Sequence, residues 1–279
     1  MQHVSLKLLI LILAALPLTA CQPEDKDAEL KRRLEAQAKE RPPRASMSFG
    51  YIHELEDLEP GGPVTLTTDA GAEIEIQEAY LVVSGIEAHL CEPEQASKGS
   101  SLEELFIGTA WAHVPSSATR LGTPFVEDLL AEGKARIVGE IAPPLGDYCR
   151  IYAVVSPADD DVRNLSALDT ADIVGKSLLL RGRFRTGADA EWQTFSSSSD
   201  ARDVVPLEAI DPSTGATPLR LEDPSQSKMI LLDKTVTPAL FAGLTPEQLA
   251  GSSEADATAA QTVLERLEKQ LRIRKFKRP

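Results

Sequence analysis

Three histidines, His53, His89 and His113, and two cysteines, Cys91 and Cys149, carry the side chains best suited to bind a transition metal. Imidazole nitrogen and thiolate sulfur are the ligands that zinc and copper prefer. Their spacing does not form a local site: the chain has no HxH, HExxH or CxxC pattern, so the fold would have to assemble the ligands. His113 is the strongest candidate, because Trp111-Ala112-His113 runs into a loop that can bring other donors near it. Asp159-Asp160-Asp161 with Asn164 offers oxygens but lacks the order, the glycine and the closing glutamate of a calcium loop. Ser196 to Ser199 reads as a loop. No G-x-S-x-G, phosphate-binding loop or dinucleotide fingerprint occurs. Acidic residues are so many that no carboxylate pair stands out for acid–base work. The expectation is a protein that is not an enzyme.

The elements that would position these residues are mostly strands. Ser46 to His53 and Val64 to Thr68 are the first two. A long β stretch follows from Glu73 through Tyr80-Leu81-Val82-Val83 to Cys91, with a break at Gly85. Period two puts His89 and Cys91 on one face and Ala88 and Leu90 on the other. Phe106 to Val114, Ala135 to Ile141 and Tyr148 to Val155 are further strands. In the last, Cys149, Ile151, Ala153 and Val155 share the face expected to meet the core. Phe125-Val126-Glu127-Asp128-Leu129-Leu130 has the spacing of one or two helical turns. Leu178 to Arg185 alternates arginine with apolar residues, as in a half-buried antiparallel strand. Residues 190–196, 203–210 and 217–221 read as weaker strands and Met229 to Asp233 as a firm one. Thr237-Pro238 and Thr245-Pro246 open short helical turns. Glu254 to Gln270 carries a one-sided stripe of Val263, Leu264 and Leu267, the one long helix. Many short strands with regular turns predict a mainly β fold: an antiparallel β-sandwich, immunoglobulin- or transthyretin-like, with a C-terminal helix.

The first twenty-one residues decide where such a chain would work. A segment with one lysine leads into Leu8 to Leu16, which is too short to span a bilayer as a stable helix, and Leu18-Thr19-Ala20-Cys21 follows. That ending resembles a bacterial lipobox. The resemblance implies cleavage before Cys21 and acylation of Cys21, with two or more acyl chains holding the protein on a membrane. Gln22, in place of aspartate, resembles the outer-membrane pattern. Residues 1–20 are then a signal peptide, 21–45 a charged flexible tether and 46–279 a single β-rich domain facing the periplasm. An exported chain meets an oxidising compartment, so Cys91 and Cys149 are expected to form a disulfide.

The formal net charge of −14 argues against nucleic acid as a partner. The C-terminal run Arg272, Arg274, Lys275, Lys277 and Arg278 has two readings: a contact with anionic lipid phosphate, or a solvated helix end that complements the dipole.

Several stretches carry a further resemblance. They are Glu78 to Glu87, Leu121-Gly-Thr-Pro124 to Leu130, Pro143-Pro144-Leu-Gly146-Asp-Tyr-Cys-Arg150, and Leu240-Phe241-Ala-Gly243-Leu244 before the final helix. In this order they resemble the periplasmic MbnP-like proteins, which are β-rich and associated with copper. The resemblance covers most of residues 46–275 as pattern and transfers no ligand residue by residue. What it implies is copper as a cofactor or cargo. Two functions are therefore carried forward. One is a membrane-anchored lipoprotein that binds a transition metal such as copper through at least two of His53, His89 and His113. The other is an interaction module of the cell envelope, with an envelope protein partner and no metal site.

Overall fold

The computed structural model describes residues 31–32, 42–68, 71–91, 116–131, 134–163, 168–249 and 255–275, and everything below refers to these. The stretch 92–115, with His113 and the predicted strand Phe106 to Val114, lies outside them, as do Cys21 and Asn164. The chain divides after Pro42. Of the first unit Lys31 and Arg32, in a helix, and Pro42 are described.

The second unit is mainly β, in two sheets. The first has strand order β13-β12-β1-β6: β1 is Ser46–Leu55, β6 Arg136–Ile141, β12 Ser227–Val236 and β13 Arg272–Ile273. The second is organised on one 18-residue strand, β3 (Glu73–Leu90). On one edge β3 pairs with β2 (Val64–Thr67), β5 (Phe125–Asp128) and β4 (Arg120–Leu121). On the other it pairs with β8 (Leu178–Arg185) and β7 (Gly146–Val155). Strand β9 (Gln193–Ser199) continues beyond β8, while β10 (Asp203–Glu208) and β11 (Leu219–Leu221) pair with β7.

The inner faces share one core. Met47, Phe49 and Ile230 from the first sheet join Ile74, Ile86 and Ile151 from the second. The residue parity of each strand produces this, since alternate side chains face the same way. The Ala79–Val83 run is apolar on both parities because both faces of β3 are covered there. Ala79, Leu81 and Val83 enter the main core, while Tyr80 and Val82 enter a second cluster with Val162, Leu168 and Ile173 of the 158–174 segment. That segment holds a one-turn helix, α1 (Thr170–Ile173), capped by Asp169.

Three differences from the sequence expectations have clear causes. The fold is mainly β, but β1 and β12 are parallel, so the first sheet is mixed. Phe125–Asp128 is strand β5 rather than helical turns, because the edge of β3 supplies a full ladder from Tyr80 to Val83. Ser196 to Ser199 lies inside β9 rather than in a loop. Ser197 and Ser199 are buried, and Ser199 Oγ donates to Gln261 Oε1 at 3.0 Å.

The C-terminal expectations hold. A 3-10 turn covers Pro238–Phe241, α2 covers Pro246–Leu249 and α3 covers Ala255–Gln270. Helix α2 opens with a capping box: Gln248 N donates to Thr245 Oγ1 and Thr245 N to Gln248 Oε1. Helix α3 buries Ala259, Ala260, Val263, Leu264 and Leu267. The arginines of β8 form a ladder with β3. Arg185 meets Glu73 at 2.6 Å, Arg183 meets Glu75 at 2.8 Å and Arg181 meets Glu78 at 3.4 Å. Trp192 lies under Arg183 and Arg185 at 4.6 and 4.8 Å.

Candidate functional site

His53 sits on the inward parity of β1, between Tyr51 and Leu55, and is 3% exposed. Its strand neighbour across the first sheet is Lys234 of β12, 1% exposed. Between them stands Glu127, 1% exposed, from β5 of the second sheet. His53 Nδ1 lies 3.0 Å from Glu127 Oε1, and Lys234 Nζ donates to Glu127 Oε2. His53 Nε2 donates to the carbonyl of Ala131 at 3.0 Å. Both partners of the ring are acceptors, a carboxylate oxygen and a backbone carbonyl. Burial would raise the pKa of Glu127, but the Lys234 ammonium and the contacts from His53 outweigh it and hold the carboxyl below its ordinary value.

The geometry limits what this cluster can do. A catalytic imidazole held by a carboxylate presents its other nitrogen to a substrate. Here that nitrogen faces a backbone carbonyl, so the ring is spent at both ends. Of the three histidines considered as metal ligands, His53 is placed with Glu127 and Lys234, and both its ring nitrogens lie against acceptors. Sequence reasoning missed both partners. For Lys234 a signal existed, since it shares parity with Ile230, Leu232 and Val236, a lysine in an apolar row.

His89 lies elsewhere, near the end of β3. Its Nε2 stands 3.1 Å from Glu87 Oε1, and its ring meets Tyr152 edge-on at 4.7 Å. Arg120 of β4 donates to Glu87 Oε2 at 2.6 Å through Nε. Burial alone would raise the pKa of Glu87, but His89 and Arg120 together keep its carboxyl below the usual range. Two residues on, Cys91 is bridged to Cys149, with Cα atoms 4.8 Å apart. The expected disulfide is present, but Cys149 does not face the core. A register shift places His89 opposite Arg150 and Leu90 opposite Tyr148, so Cys149 is the extra residue of a bulge. It is exposed, and Tyr148 turns inward instead.

Among the described residues, no group of three or more His, Cys, Asp and Glu side chains could hold a metal ion. None of their helices is long and apolar enough to cross a membrane. A cleft of about 670 Å³ lies between the β2–β3 hairpin and the 241–247 segment. Its lining includes buried Ile74, Phe241 and Leu244, and exposed Thr67, Thr186 and Glu247.

No protein-family model matches this sequence, and no curated protein matches it. Among solved structures, MbnP from Methylosinus trichosporium is similar at 13% identity and a TM-score of 0.30, over 79% of this chain and 87% of that chain.

Proposed function

We propose that this chain is an exported lipoprotein, anchored through Cys21 to the periplasmic face of the outer membrane, whose β domain works by binding rather than by catalysis. The observation that carries the non-catalytic part is the closure of His53, Glu127 and Lys234 on one another. These deeply buried groups are engaged with one another at the joint between the sheets. The cleft between the β2–β3 hairpin and the 241–247 segment offers a place for a partner or ligand instead. The Leu18-Thr19-Ala20-Cys21 sequence and the Cys91–Cys149 bridge support the export reading, since disulfides persist in oxidising compartments.

A second reading keeps a transition metal such as copper. It rests on His89, which is 27% exposed beside Glu87, and on His113, with the family resemblance of the sequence as its source.

One purification separates these readings. The chain is expressed whole in a bacterial host and membrane fractions are collected. The mass of the Cys21 peptide is measured and copper and zinc are titrated in. Acylated Cys21 with no stoichiometric metal is the expected result. Unmodified Cys21 in a soluble fraction would refute the anchor. Stoichiometric copper lost in His113→Ala or His89→Ala would replace the first reading by the second.

A further inference from the structure

A second cleft, of about 480 Å³, opens where one end of the first sheet meets the end of α3. The parallel strands β1 and β12 finish together at Leu55 and Val236, and Glu56 N donates to Val236 O. Asp57, with φ at +59°, then bends the chain away, in a conformation that aspartate tolerates. Helix α3 ends at Gln270, and Leu271 N closes its last turn on the Leu267 and Glu268 carbonyls before β13 begins. Glu56, Thr235 and Thr237 line the cleft from the strand ends, and Lys269, Gln270 and Arg272 line it from the helix end.

The cleft carries charges of both signs that are not spent on each other. Among the described residues Glu56 and Lys269 form no salt bridge, with each other or with a third group. Nearby in the first sheet, Glu54 is held by Arg274 at 2.8 Å. Asp233 is held by Arg272 Nε at 3.3 Å, which leaves the two terminal nitrogens of Arg272. Asp203, Glu265 and Glu268 line a neighbouring cleft that Lys269 also borders. Gln270 Oε1 is buried yet accepts no hydrogen bond. An unpaired buried acceptor is costly and calls for a donor.

These groups divide into two halves by their chemistry. Glu56, Gln270 Oε1 and the negative end of the α3 dipole suit an ammonium. Lys269 and Arg272 suit a carboxylate. A lone cation or a lone anion meets like charge in one half, whereas a ligand with both ends satisfies both. Glu56 and Lys269 stand beyond bonding distance of each other. That suits charges set apart along a backbone better than a free amino acid, where one carbon carries both. The volume is that of a small-ligand site. We propose that this cleft binds a short zwitterionic peptide, with its α-ammonium at Glu56 and Gln270 and its α-carboxylate at Lys269 and Arg272. The site is separate from the 241–247 cleft and does not depend on it.

The test titrates the whole chain, purified in detergent, with trialanine by calorimetry. Saturable one-to-one binding is expected. Acetylating the amine of trialanine, or amidating its carboxylate, is expected to weaken binding roughly ten-fold. Glu56→Gln is expected to weaken trialanine to the same degree and to leave acetyl-trialanine unchanged. Lys269→Gln is expected to weaken trialanine likewise and to leave trialanine amide unchanged. Both side chains are exposed, so the variants keep the near-ultraviolet spectrum of the native chain. The proposal is overturned if trialanine does not saturate the chain at millimolar concentration, if the blocked forms bind equally, or if both variants bind trialanine as the native chain does. Free alanine binding as tightly as trialanine would also overturn it, by making the site one for single amino acids.

Discussion

Lys234 of the first sheet donates its ammonium hydrogen bond to Glu127 of the second, and the two are separated by 107 residues in sequence. With His53 on the other carboxylate oxygen, this is a buried ionic joint between the two layers of the domain. Nearby, the rings of Tyr51 and Phe125 stack between the same strands at 5.3 Å.

Glu127→Gln keeps the shape of the joint but leaves the Lys234 ammonium without its counter-charge. Loss of one partner from a buried pair costs about 3–5 kcal/mol. The variant is expected to fall by that much in urea unfolding. The triple replacement His53→Leu, Glu127→Leu, Lys234→Met removes the desolvation cost together with the attraction, and is expected to recover most of the loss.

The same joint sets the acid limb of stability. The folded pKa of Glu127 lies below its unfolded value, so its contribution is present above the unfolded pKa of about 4.3 and is lost as pH falls through the folded one. Melting followed from pH 6 down to pH 2 is expected to show this loss in the native protein and a shallower one in Glu127→Gln.

Glu268 on α3 has the opposite sign. Burial, then the hydrogen bond and charge of Asp203, push its carboxyl up to about 8. The folded state therefore holds a proton that the unfolded state has released, and stability declines as pH rises from about 4.3 to about 8. Glu268→Gln removes that decline. Its melting temperature is expected to exceed that of the native chain at pH 8 and to approach it at pH 5.

Reducing Cys91–Cys149 opens a loop with a sequence separation of 58. In the chain-entropy description this costs about 4 kcal/mol. Because Cys149 is exposed on a bulge, Cys91→Ala with Cys149→Ser is expected to lose that stability while keeping the native circular dichroism spectrum.

Gly182 lets β8 approach β3: a Cβ there would lie 2.0 Å from the carbonyl oxygen of Glu75. Gly182→Ala must part the two strands. It is expected to lower stability by about 1–3 kcal/mol and to speed amide exchange in the Glu73–Arg185 ladder.

Much of this architecture is written locally. Period-two patterning locates β1, β3, β7, β8 and β12, and the Thr-Pro pairs and the Val263, Leu264, Leu267 stripe locate the C-terminal helical elements. Each depends on side-chain parity or capping within a few residues, so no partner is needed to read it. Where a partner strand overrides local spacing, the reading shifts. Phe125–Asp128 pairs with β3 despite helical spacing, and the bulge at Cys149 turns Tyr148 inward in place of the cysteine.

The sequence by itself determined a mainly β chain with a C-terminal helix and two cysteines suited to one bridge, because composition, periodicity and turn chemistry act over short range. Only the tertiary structure decided what the histidines do. His53 is joined to Glu127 across 74 residues and lies opposite a lysine on a parallel neighbour, while His89 is turned to Glu87 near the end of β3 in the other sheet. An imidazole has the same chemistry in either place. Its role follows from which acceptors and charges the packed sheets bring within about 3 Å of its nitrogens, and that is a property of long-range pairing rather than of any local pattern.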